Sequence, residues 1–163
     1  MLKHKIYVKR QRQGLGQAGI TSLCRRAVKA TLQEEGIELP IEINIQVVDD
    51  KSIQEVNREQ RGKDSPTDIL SFPAADYIPG AFVPNQSDID PESGCLYLGD
   101  IVLSCESAER QAEEYGHDIA RETAYLVVHA TLHLIGYDHM EADEQANMRE
   151  REEQILMILG LVR

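Results

Sequence analysis

Three of the five histidines fall inside one eleven-residue window, which runs from His129 through His133 to His139. His129 and His133 are four residues apart, and the apolar periodicity around them predicts a helix from about Asp118 to Ile135. On a helix this spacing puts both imidazoles on one face, one turn apart, where they can share an ion. Gly136 follows, free to take the left-handed conformation that ends a helix and turns the chain back. His139 can then supply a third nitrogen to the same point. The pattern predicts a metal site built from His129, His133 and His139.

Ligand type narrows the ion. Neutral imidazoles suit zinc, and less exclusively nickel, cobalt, copper or iron, whereas magnesium and calcium want oxygen. No cysteine lies nearby to close a structural tetrahedron. Three protein ligands with an open fourth position is the arrangement of a catalytic zinc, so one Zn2+ per chain is expected. The frame His-x3-His-x2-Gly-x2-His is shared with zinc peptidases, which place a glutamate general base directly after the first histidine. Here that position is Ala130. A zinc peptidase is therefore the least favoured reading.

Two further motifs accompany the histidines: Arg61-Gly-Lys-Asp-Ser-Pro-Thr-Asp-Ile-Leu-Ser-Phe-Pro73 and Leu98-Gly-Asp-Ile101. With HATLHLIGYDH, and in this order, they make the chain resemble the YbeY family of bacterial metal-dependent endoribonucleases. The resemblance covers about residues 50 to 155; before residue 50 only the order of elements matches. It implies a zinc-dependent, single-strand-specific endoribonuclease of 16S rRNA 3′-end maturation and ribosome quality control, partnered by the small ribosomal subunit. It also carries the family's functionally important arginine onto Arg61. The chemistry is consistent with that role: charge accumulates on the equatorial oxygens of the phosphorus as a phosphodiester is cleaved, and a guanidinium can grip two of them. The alternative is a ribosome-assembly binding protein in which the metal is structural; a fourth protein ligand would favour it.

Other candidates read more plainly. Asp138 could orient an imidazole or act as a base, but an Asp at a helix exit usually serves the turn. His117 reads as a solvated residue near a helix start, and His4 has no ligand spacing. Lys63 could touch an RNA backbone. Cys24 and Cys105 read as small core residues.

The elements that must position these residues are legible as periodicities. Strands are expected over 5–9, 41–47, 67–72 and 96–103. Helices are expected over about 20–32, after Asp49 or Asp50, over 105–115 after Ser104, over 118–135 and over 143–159. Residues 73–95 hold four of the six prolines and form an extended loop. The class expected is α+β (mixed α/β), a small four-stranded sheet packed with about five helices in a single domain spanning 1–163.

Composition agrees with that class. A chain of 163 residues with 42% hydrophobic and 28% charged side chains can bury a core without staples. Its apolar runs are too short to span a membrane, no apolar stretch of a secretory signal opens it, and three cysteines without CxxC fit a reducing cytoplasm. The net charge is −11, yet residues 1–30 hold eight Lys and Arg and no acid. Contact with RNA is therefore expected to rest on a small patch drawn from those residues, with Arg61 and Lys63.

Overall fold

A computed structural model describes residues 2–161. Strands β1 (Lys5–Arg10), β2 (Ile41–Val48), β3 (Ile69–Pro73) and β4 (Leu96–Ser104) form one sheet in the order β1-β2-β4-β3. The first three of that order run parallel, and β3 is antiparallel on the edge. Helices α1 (Ile20–Glu34), α2 (Asp50–Arg61), α3 (Cys105–Tyr115), α4 (Ile119–Leu134) and α5 (Ala142–Ile158) surround it, an α+β arrangement as expected. None of these helices is long and apolar enough to cross a membrane.

Alternation along the strands sets the layers. In β2, Ile41, Ile43, Ile45 and Val47 are almost fully buried and face the large core shared with α1 and α4. Its last residue, Val48, joins Ile53, Leu70 and Val102 in a smaller core on the other face, beneath α2. A parallel pair needs a long crossover, which α1 supplies between β1 and β2. The β2–β4 register slips by one residue at Leu98, and the bulge is made possible by Gly99. A side chain at Gly99 would stand 2.4 Å from the Phe72 carbonyl oxygen, so β3 can approach β4 only over a glycine.

Helix α4 runs through the middle of the molecule, packed against α1, α3, α5, β3 and β4. Eleven of its sixteen residues are buried, which explains its apolar character on nearly every side. Tyr125, His129 and His133 are the half-buried exceptions in its last three turns, and they open towards β3. The helices that follow β2 and β4 are capped at their starts. Asp49 caps α2 by accepting from the Ser52 amide at 2.9 Å, and Ser104 caps α3 by accepting from the Ser107 amide at 3.2 Å.

Two expectations shift. The third strand begins at Ile69 rather than Thr67, because the Asp68 carboxylate takes the Ile69 amide at 2.7 Å and the Thr67 carbonyl accepts from Ser107 Oγ. The basic residues of 1–30 do not gather beside the histidines. Strand β1 is the edge opposite β3, three strand spacings or about 14 Å away across the sheet. Arg25 is held there by the Ile6 carbonyl at 3.1 Å, and Arg12 is paired with Asp49 at 2.8 Å.

Candidate metal centre

Helix α4 ends in a way that brings the third histidine back. The Tyr137 amide donates to the Leu132 carbonyl, and Gly136 takes φ +109°. A side chain at Gly136 would lie 2.2 Å from the Tyr77 carbonyl oxygen. The glycine is required twice, for its backbone angle and because the 73–95 loop is seated directly against it. Asp138 accepts from the His139 amide at 2.8 Å, the turn role expected of it. His139 thus returns to the pair on α4, and one nitrogen from each ring lies within 4.8 Å of the others.

The rings are set by what holds their far nitrogens. His133 Nδ1 is 2.8 Å from the Tyr137 carbonyl, and His129 Nδ1 is 3.1 Å from Glu152 Oε1 on α5. Both partners can only accept, so both δ nitrogens carry the proton. With both rings neutral the ε nitrogens present lone pairs, and they face each other at 3.1 Å. Burial and the neighbouring His129 push His133 down to about 4, which keeps its ring neutral. Two lone pairs held this close repel one another unless a cation lies between them. The donor set, the tautomers and the facing nitrogens fit a metal ion that takes imidazole, and among the described residues no fourth His, Cys, Asp or Glu joins the group.

Arg61 meets the histidines across the same cleft. A cavity of about 280 Å³ is lined by Arg61, residues 67–71 of the β3 segment, Tyr125, His129, His133 and His139. Arg61 is the last residue of α2, where Gly62 at φ +70° and the Lys63 amide bond to Asn57 close the helix. Its guanidinium donates to the Ser71 carbonyl at 3.0 Å and lies over the Phe72 ring, 5.6 Å from the centroid. Motifs 68 residues apart in the chain therefore face one space.

Several partners were not expected from the sequence. Glu152 is buried on the apolar stripe of α5 that also carries Met148, Ile155 and Leu156. A carboxylate at that helical phase is the signal that could have singled it out. Tyr125 borders the cleft, and burial together with Glu152 raises its phenol, so it stays a neutral hydroxyl. His117 is not solvated: its side chain is 16% exposed, with Nδ1 3.7 Å from Glu122. His4 accepts from the Ile41 amide, and Cys24 and Cys105 are buried and unpaired as expected.

Comparison with known proteins decides the family. The sequence model described as Endoribonuclease YbeY matches residues 5–160. The chain belongs to the YbeY family. A YbeY endoribonuclease of Clostridium botulinum (strain Loch Maree) is 45% identical over 147 residues, covering 85% of this chain and 87% of its own. One from Acetivibrio thermocellus is 42% identical over 144 residues, covering 88% and 89%. A Thermotoga maritima protein solved in solution shares the fold, with a TM-score of 0.58 at 21% identity over 94% of this chain and 91% of that one. The YbeY match includes the segment before residue 50, where the motifs alone were silent.

Proposed function

We propose that this chain is a metal-dependent endoribonuclease that cleaves single-stranded rRNA, acting in 16S 3′-end maturation and ribosome quality control in the cytoplasm. The observation that carries the reading is the convergence of three imidazoles and one guanidinium on a single cleft. Membership of the YbeY family supplies the substrate class. The three buried, unpaired cysteines fit a reducing compartment.

His129, His133 and His139 would hold one ion through ring nitrogens, with zinc the best match to a neutral imidazole set. When bound, the ion supplies Lewis acidity towards a phosphoryl oxygen or a water. The protein's own contribution is positional. Glu152 and the Tyr137 carbonyl hold two ligand rings in one tautomer. The Ser71 carbonyl and the Phe72 ring fix the Arg61 fork at the cleft, leaving N–H groups free to take non-bridging phosphate oxygens. Tyr125 can add a neutral hydrogen bond. Ala130 lines the same cleft without any acid–base group, which disfavours peptide hydrolysis. A purely structural metal is disfavoured because only three His, Cys, Asp or Glu ligands converge among the described residues.

The test compares cleavage of an rRNA fragment bearing an unprocessed 3′ end by wild type and Arg61→Ala, with metal content measured in parallel. Arg61→Ala should keep its metal and lose on the order of 100-fold in rate. Arg61→Lys should recover only part, since an ammonium lacks the two-point grip. Full activity in the alanine variant would remove Arg61 from the mechanism.

A further inference from the structure

The metal cleft has a neighbour. Tyr125 and Asp68 line both it and a second cavity of about 490 Å³, whose walls also include Arg121, Glu153, Tyr115 and Gln111. Arg121, Tyr125, His129 and His133 stand four residues apart on α4, so they form one ridge along it, each about 6 Å further on. A strand of RNA with its phosphate at the histidines would pass this second cavity with an adjacent nucleotide.

Arg121 is 5% exposed, and its Nε has no hydrogen-bond partner. Its remaining nitrogens make only long contacts, 3.5 Å to Glu153 Oε2 and 3.5 Å to His117 Nδ1. A buried guanidinium normally has its donors satisfied, and leaving one bare costs stability. Beside it, Glu153 is partly exposed and engaged only through that long contact. The cavity is thus lined by a guanidinium whose terminal nitrogens make only long contacts, next to an under-used carboxylate acceptor. Tyr115, 59% exposed, offers a flat ring at the rim.

The charges around the cavity do not favour a phosphate as the occupant. Asp68, Glu122 and Glu153 face the cavity against the two guanidiniums of Arg121 and Arg149. The arrangement suits a neutral, planar group with a donor edge and an acceptor edge. Guanine is the base that pairs these: N1–H and N2–H together match a carboxylate, while O6 and N7 match a guanidinium. Stacking on an aromatic ring is how single-stranded RNA bases are commonly held.

We infer that this second cavity is a nucleobase subsite that selects guanine at a nucleotide neighbouring the cleaved phosphodiester. The inference rests on RNA being the substrate of the adjacent metal cleft. Glu153 accepts from the guanine N1 and N2 edge, Arg121 donates to O6 and N7, and Tyr115 stacks. The subsite would give an otherwise backbone-reading enzyme a local base preference.

The experiment measures equilibrium binding of five-nucleotide RNA strands to the zinc-loaded protein, with a uridine background and G, A or U at the central position. Wild type should bind the G strand about ten-fold more tightly than the others. Glu153→Gln, at a partly exposed site, should reduce that preference to about two-fold while leaving the all-uridine strand unchanged. Tyr115→Ala, on the surface, should weaken the G, A and U strands alike by roughly ten-fold. Equal binding of all three strands by wild type, or a G preference untouched by Glu153→Gln, would overturn the subsite and leave the nuclease reading standing. No binding of any strand would overturn both.

Discussion

Glu152 on α5 accepts a hydrogen bond from His129 on α4, with Oε1 3.1 Å from Nδ1. Glu152 is 4% exposed, so this contact is a buried one between two helices. It turns the ε lone pair of His129 into the cleft and raises the basicity of that nitrogen. Helix α5 therefore adds nothing to the histidine group, yet it sets the orientation of one of the proposed ligands.

Replacing Glu152 should weaken the metal without touching a ligand. Glu152→Ala is expected to lower zinc affinity by about 10- to 100-fold, read by competition against a chelator of known affinity. Glu152→Gln keeps an acceptor for the His129 δ proton and should lose less. An affinity equal to wild type in the alanine variant would show that the ring is oriented by something else.

Gly136 should tolerate no side chain. Gly136→Ala would force both a strained backbone angle and a contact with the Tyr77 carbonyl that is 2.2 Å at the present geometry. Together these should cost about 2–4 kcal/mol, measured by urea unfolding, and lower metal retention by displacing His139. Wild-type stability would mean that the 73–95 loop does not bear on the turn in solution.

Acid should selectively erase the cap of α2, the helix that carries Arg61. The Arg12 side chain and the Ser52 amide lower Asp49 from 3.8 to about 2. A carboxyl whose folded value is depressed stabilises fully above its unfolded value and loses that contribution as pH falls through the folded one. Asp49→Ala should thus cost about 1 kcal/mol at neutral pH. Its deficit against wild type should shrink between about pH 4 and pH 2. A deficit independent of pH over that window would assign the cap's effect to packing rather than charge.

The histidine frame could be read from the sequence because its geometry is local. A spacing of four on a helix and a glycine at its end place three rings without knowledge of distant contacts. The strands and helices were legible for the same reason, each being written in its own periodicity. Arg61 needed a different kind of information, since its approach to the histidines depends on β3 lying antiparallel against β4 and beside α4. Glu152 and Arg121 acquire their partners only when α5 is docked on α4. The basic segment of 1–30 misled for a related reason. Charge in the sequence is one-dimensional, and the order β1-β2-β4-β3 carries the basic strand β1 to the far edge of the sheet.

RNA cleavage is expected to depend on a metal held by the three histidines. The direct measurement is a titration: protein stripped with a chelator receives zinc in steps, with bound metal and cleavage of a single-stranded rRNA fragment read on each sample. Activity should rise in proportion to bound ion and reach its plateau at one ion per chain, and His133→Ala should show neither tight binding nor recovery. Full cleavage by the stripped protein, or unchanged stoichiometry and affinity in His133→Ala, would contradict it.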